Sequence, residues 1–254
     1  MLENPRSPRV RAVAKLTKRS ARQETGLFLL EGPQAAREAL AFRPDTLVEV
    51  FATPSAMERH QDIRDGAKDA GVEIVLTTEA VLDAMADTVT PQGIVAVARQ
   101  SPTSLRDVFA AGPRLVAICE EVRDPGNLGT IIRAADAAGA DAVVLTGRTV
   151  DPYNPKVVRA TTGSLFHLPI AVGLELSTVV ERAHEAGLRV IAADVGGDDF
   201  LARRDLLAEP TAWLFGNEAR GLDESSRGLA DLALRLPIYG RAESLNLATA
   251  ASVC

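Results

Sequence analysis

Three loops of this 254-residue chain concentrate residues able to do chemistry: "RDPGNLGTIIR" (123–133), "LFGNEARGL" (214–222) and "LPIYGRAESLNLA" (236–248). Each combines glycine with Asn, Glu, Ser or Arg, so backbone and side-chain hydrogen-bonding groups are offered together. Taken singly, each has a plain structural use. Asn127 suits the cap of the helix carrying "LGTIIRAADAA". Gly216 and Gly221 suit turns, and Ser244 suits a second cap with Asn246 in the following turn. Their joint occurrence, in this order, is what sets them apart. Other chemistries find no support. There is no G-x-G-x-x-G after a strand and no G-x-x-x-x-G-K-[ST] phosphate loop, and "DVGGDD" has the wrong spacing for either. His60 and His184 fall in polar helices, and His167 sits between Phe166 and Leu168. The Asp198-Asp199 pair reads as loop charge. Cys119 and Cys254 are too few for a disulfide framework or a zinc site, so no metal is expected.

The elements that must position these loops alternate. In the first part, "TGLFLLEG", "TLVEVFAT", "VEIVLTT" and "QGIVAVARQ" read as strands. They alternate with helices through "GPQAAREALAF", "ERHQDIRDGAKDAG" and "EAVLDAMADT". "SPTSLRDVFAAGPR" carries boundary punctuation and a short helix. The second part reads as strands "RLVAICEEV", "DAVVLTG", "LRVIAADV", "TAWLFGNE" and "LALRLPIYG", with helices in "DPGNLGTIIRAADAAGA" and "STVVERAHEAG". This pattern predicts an α/β protein with a mostly parallel sheet and helices on both faces. The expected division is 1–100, a linker at 101–112, and 113–254. In such sheets ligands bind at the carboxyl ends of strands, where all three loops fall.

With 46% hydrophobic and 4% aromatic residues the chain has ample core of aliphatic type, and no run of 18 apolar residues suggests a membrane span. The N-terminus lacks the apolar stretch of a secretory signal, and the reading is a cytoplasmic protein. The net charge of −6 argues superficially against a nucleic-acid partner. Residues 1–25, however, hold seven basic residues against two acidic ones, a local +5. Such an arm is either a solvated or disordered tail or a phosphate-contacting segment.

The three loops, in this order, resemble the motifs of the SpoU (TrmH-type) branch of the SPOUT RNA methyltransferases. Asn127, Gly129 and Arg133 match N-x-G-x-x-x-R. Phe215, Gly216, Glu218, Gly221 and Leu222 match F-G-x-E-x-x-G-L. Pro237, Gly240, Ser244, Leu245, Asn246 and Ala250 match the third motif, I-P-M-x-G-x-x-x-S-L-N-V-S-x-A. Here Leu236-Pro237-Ile238 stands for Ile-Pro-Met, and Ala248 replaces a small hydroxyl residue. "RATTGSLFHLP" is similar to the segment between the first two motifs. The family's last helix normally runs two or three turns further than Cys254. The first part resembles an L30e-like RNA-binding domain through "TKRSARQETGLFLLEG" and "PQGIVAVA". That domain makes the chain look like the ribosomal-RNA members, among them the thiostrepton-resistance enzymes.

The resemblance implies a deep trefoil knot in the second part, a homodimer, and S-adenosyl-L-methionine as methyl donor with S-adenosyl-L-homocysteine as product. It implies methylation of a ribose 2′-hydroxyl, in 23S ribosomal RNA by preference. The alternatives are a transfer-RNA 2′-O-methyltransferase or a non-catalytic RNA-binding protein of the same fold. By motif position the cofactor contacts are Leu214, Gly216, Asn217, Leu236, Ile238, Gly240, Leu245, Asn246 and Leu247. Arg133 is the central catalytic group, as base, proton relay or alkoxide stabiliser; a guanidinium holds its proton above about pH 12, which makes a free base awkward. Asn127 and Ser244 would orient the ribose, Asn246 would shape the pocket, and Glu218 would hold Arg133 or the knot. Arg19, Arg22, Arg123 and Arg159 are the expected RNA contacts.

Overall fold

The computed structural model describes residues 1–254, the side chains of residues 204 and 207 excepted. In chain order the elements begin with α1 (Pro8–Lys15), α2 (Arg19–Thr25), β1 (Leu27–Glu31), α3 (Pro33–Phe42) and β2 (Leu47–Ala52). Next come α4 (Pro54–Arg59), α5 (Gln61–Asp69), β3 (Glu73–Leu76), α6 (Glu79–Met85), β4 (Ile94–Arg99) and α7 (Leu105–Ala110). Then follow β5 (Leu115–Glu120), α8 (Pro125–Ala137), β6 (Ala142–Thr146), α9 (Pro155–Thr161), β7 (Ile170–Leu174) and α10 (Leu176–Glu185). The chain closes with β8 (Arg189–Asp199), β9 (Thr211–Phe215), α11 (Glu224–Arg227), β10 (Leu232–Arg235) and α12 (Leu247–Val253). Two units result: residues 1–101 with 151–167, and residues 102–150 with 168–254.

The first unit is built on a four-stranded mixed sheet in the order β1-β4-β2-β3, with only β2 and β3 parallel. The basic N-terminal stretch is not a free tail. Ser7 caps α1 by accepting a bond from the Val10 N–H, and Val10, Val13 and Leu16 enter the core beside Leu29, Phe51 and Val95. The expected single polar helix of 58–71 is instead two helices that meet at His60. The break lets each short helix turn its own apolar pair inward, Ala56 with Met57 and Ile63 with Ala67. The segment 151–167 packs in this unit: Tyr153 lies 4.8 Å from the Phe28 ring, and its hydroxyl accepts the Ser101 N–H at 3.1 Å.

The second unit carries a six-stranded sheet in the order β10-β8-β9-β5-β6-β7, with every pairing parallel. Alternation along β5 assigns its faces. Val116 and Ile118 join Val108 of α7 and Val179 and Val180 of α10 in one core. Ala117 faces the other way, towards Ile131 and Ala135 of α8, Phe215 of β9 and Ala251 of α12. Two strand boundaries differ from the sequence expectation. β10 ends at Arg235, opposite Asp199 where β8 ends, and Pro237 has no N–H to extend the ladder. β8 runs on through "DVGGDD", so Asp198 and Asp199 belong to a strand. There Gly197 lies so close to the neighbouring strand that a Cβ would sit 2.4 Å from the Ala233 carbonyl carbon. Because the strands are parallel, the loops leaving β5, β9 and β10 emerge along one edge.

Candidate active site

The turn from β5 into α8 sets the first loop. Asp124, rather than Asn127, caps α8: its carboxylate accepts the Asn127 N–H at 2.8 Å, with Pro125 at the first helical position. The cap leaves the Asn127 side chain free for other work. Its Nδ2 donates to Glu218 at 3.5 Å, and its Oδ1 accepts from Asn246 Nδ2 at 2.9 Å. Asn246 is in turn the cap of α12, its Oδ1 accepting the N–H groups of Ala248 at 2.9 Å and Thr249 at 3.2 Å. Ser244, expected at that cap, is exposed. One chain of side-chain hydrogen bonds therefore ties all three loops together.

Of the two roles expected for Glu218, holding Arg133 is not realised: it accepts the backbone N–H groups of Arg123 at 3.1 Å and Asp124 at 2.9 Å, fixing the entry to α8. Arg133 lies six residues beyond Asn127, about 9 Å along the axis by helical rise. Its side chain is exposed and makes no hydrogen bond or ion pair with any described residue.

The loop after β9 is closed by reciprocal backbone bonds between Asn217 and Gly221, at 3.1 and 2.8 Å. Gly216 must be glycine here, since a Cβ would stand 2.6 Å from Gly221 C and Leu222 N. Asn217 Nδ2 donates to the Glu121 carbonyl at 2.9 Å, which moors this loop to the end of β5. Leu214 is buried in β9. The loop after β10 is different in kind. From Leu236 to Leu245, Gly240 included, no polar group finds a hydrogen-bond partner among the described residues. Leu236, Pro237, Ile238 and Leu247 are nevertheless half-buried.

Charge is gathered at Glu121, which sequence reasoning passed over. Its carboxylate pairs with Arg220, and lies 3.6 Å from both Arg123 and Arg148. Burial alone would raise this carboxyl, but the three guanidinia outweigh it and hold it below the usual range. The neighbouring Glu120 goes the other way. Burial raises its carboxyl first, and Glu121, Asp223 and Glu175 add to the shift against an opposing bond from Thr146. Only the proximity of Glu-Glu to the first motif hinted at either.

Among the expected RNA contacts, Arg19 and Arg123 are exposed. Arg22 is a correction. It is buried at 1% exposure, with its Nε donating to Asp151 at 2.8 Å and its NH1 to the carbonyls of Leu16 and Thr17 at 2.9 Å. It therefore braces the first unit from within and has no face to offer a phosphate. Arg159 is likewise engaged, by Glu31 at 2.9 Å and Asp87 at 3.0 Å. His167 pairs with Glu38 at 3.0 Å and His184 with Asp231 at 3.1 Å. Among the described residues no cluster of three or more His, Cys, Asp or Glu side chains is placed to hold a metal ion. No helix among them is long and apolar enough to cross a membrane.

An all-parallel sheet whose β5, β9 and β10 loops are joined through Asn127, Glu218 and Asn246 defines an α/β protein with a candidate ligand site at its carboxyl edge. More narrowly, the chain belongs to the SpoU rRNA methylase family, whose description matches residues 114–254. Residues 7–96 match the MRM3-like substrate binding domain. The chain is 34% identical to the 23S rRNA (guanosine(2553)-2'-O)-methyltransferase RlmP of Bacillus subtilis, across 99% of this chain and 96% of that one. Its structure is similar to that of an AdoMet-bound rRNA methyltransferase from Sinorhizobium meliloti, with a TM-score of 0.87, 32% identity and coverage of 99% and 94%. It is also similar to the SpoU methyltransferase AviRb from Streptomyces viridochromogenes in complex with AdoMet, with a TM-score of 0.84, 30% identity and coverage of 98% and 95%.

Proposed function

We propose that the chain transfers a methyl group from S-adenosylmethionine to a ribose 2′-hydroxyl of 23S ribosomal RNA. The observation that carries this reading is the hydrogen-bonded chain Asn246–Asn127–Glu218 beside a loop of unmatched polar backbone. The activity of RlmP and the AdoMet-bound neighbours point the same way. The match of residues 7–96 to a substrate-binding domain favours a large ribosomal substrate over transfer RNA.

The residues present fit the donor. Unpaired N–H and C=O groups between Leu236 and Leu245 suit an adenine edge and a methionine tail, while half-buried Leu236, Ile238 and Leu247 supply apolar walls. Gly216 lets its own loop fold tightly on Gly221 and Leu222, Gly240 leaves open space, and Leu214, Asn217, Leu245 and Asn246 complete the lining. Bound there, S-adenosylmethionine supplies an electrophilic methyl on a positively charged sulfur. The remaining work is positioning a hydroxyl and managing its proton.

Asn127 and Ser244 orient the ribose, and Asn246 holds Asn127 while starting α12. Glu218 fixes the turn that presents Asn127. Arg133, unpaired and exposed, stabilises the oxygen as negative charge develops on it, with an RNA phosphate taking part in proton movement. Its separation from the Asn127 group supports a homodimer in which Arg133 serves at the shared interface. The return of α12 from the β10 edge to pack against α8 supports the trefoil threading. Ribosomal RNA as substrate and two free cysteines, Cys119 and Cys254, accord with a cytoplasmic setting.

The test is transfer of labelled methyl groups to 23S ribosomal RNA and to transfer RNA in parallel. Label in the former at an alkali-resistant linkage is expected. Label in transfer RNA, or on a base, would overturn the assignment.

A further inference from the structure

Three loops of the second unit converge on one carboxylate. Glu121 follows β5, Arg148 follows β6, Arg220 lies in the loop after β9, and Arg123 opens the turn into α8. Glu121 holds a left-handed backbone (φ +52°), which among described non-glycine residues only Thr162 shares. Such a conformation is unfavourable for an ordinary residue, so something compels it. Gly147 sits against it: a Cβ there would fall 2.9 Å from Glu121 Cγ, and Gly147 is itself left-handed at φ +58°.

The order of exposure is the telling feature. The Glu121 side chain is 15% exposed, while those of Arg123, Arg148 and Arg220 are 47%, 81% and 60% exposed. The carboxylate lies inside and the guanidinia outside, so an approaching ligand meets positive charge. Three guanidinia share this one carboxylate, on a chain whose net charge is −6. Neighbouring carboxylates form no ion pair with them: Glu218 is bound to backbone N–H groups, and Asp223, though it feels the charge of Arg220, caps α11 by accepting the Ser226 N–H at 2.7 Å. Each guanidinium has five N–H donors in a planar fork, and a single shared carboxylate occupies few of them.

We propose that Arg123, Arg148 and Arg220, held by Glu121, form a seat for the RNA phosphodiester next to the target ribose. This rests on the RNA-methyltransferase reading. Glu121 is a positioning residue: it fans the three forks outward without touching the substrate. Proximity to the catalytic loops is direct, because the Arg123 N–H bonds Glu218 and Asn217 bonds the Glu121 carbonyl. The competing occupant is the carboxylate of the methyl donor, which the exposure of Arg148 and Arg220 disfavours.

The experiment is the salt dependence of binding to a fluorescent single-stranded oligoribonucleotide, together with S-adenosylmethionine affinity for the same proteins. Arg148→Ala and Arg220→Ala should each lower the slope of log K against log salt by about 0.7, the loss of one phosphate contact on a single strand. Donor affinity should stay unchanged. Glu121→Gln makes the cluster more positive, so simple charge attraction would tighten RNA binding, whereas loss of positioning weakens it. Weaker binding is expected. An unchanged slope in both arginine variants, tighter binding by Glu121→Gln, or loss of donor affinity would each overturn the proposal. Arg148 is mostly exposed, so its variant remains informative even if another misfolds. Failure of wild-type methyl transfer with these slopes intact would sink the enzyme reading and leave the phosphate seat standing.

Discussion

Asn127 and Glu120 show how far a single side chain reaches. Asn127 looks like a cap in the sequence, yet Asp124 takes that role and leaves the amide free to join Glu218 and Asn246. Asn246→Ala removes both a cap and that link. It should lower stability by about 1 kcal/mol, the usual value of an N-cap, and lower methyl transfer well beyond what that loss explains. Urea unfolding beside a rate measurement separates the two, and equal activity would refute the link. Glu120 titrates above its ordinary value because burial disfavours its charge, and one carboxylate oxygen has no hydrogen-bond partner among the described residues. A carboxyl whose folded pKa is raised favours the fold at low pH and loses that contribution as pH rises through its unfolded value to the folded one. Glu120→Gln should therefore stabilise the protein at pH 7 and change little at pH 4. The same gain at both would contradict the burial argument.

At the scale of elements, turns carry the site. Gly216 sits where β9 gives way to its loop, with backbone too near for any Cβ. Gly216→Ala must displace Gly221 and Leu222, so donor binding should fall by tenfold or more while the first unit is untouched; calorimetric titration reads this. Arg22 does comparable work inside the first unit, tying the α1–α2 turn to Asp151. Breaking such a buried pair from one side costs about 3–5 kcal/mol, and Arg22→Ala should show that loss in denaturant unfolding. A loss under about 1 kcal/mol would mean that Arg22 behaves as a surface residue. The strands and the long helix α8 around the second unit's turns were legible, because their apolar periodicity and glycine stops are local; helices α1 and α2, the second of which carries Arg22, were not anticipated. The burial of Arg22 was not: nothing in "TKRSARQE" announces a partner 129 residues away. The left-handed turn at Glu121 was equally hidden, since the residue type argues against it.

For the molecule as a whole, the parallel sheet and the edge bearing the site follow from the alternating pattern, and the motif residues named the loops. Their linkage did not follow. The sequence reading left Glu218 to Arg133 or to the knot, and contacts made only in three dimensions give it to the α8 turn rather than to Arg133. Net charge also misleads at this scale, because the arginines that matter are clustered on loops against a background of dispersed acids. The central claim is that these loops form a methyl-transfer centre in which Arg133 acts on the reacting oxygen. It is tested most directly by single-turnover methyl transfer to 23S ribosomal RNA, measured with donor affinity, for wild type and Arg133→Ala. The expected result is donor affinity within about twofold and a rate lower by about 100-fold or more, the scale of losing one charge-stabilising group. An unchanged rate, with label still entering a ribose 2′-hydroxyl, would contradict the assignment of Arg133 to the chemical step.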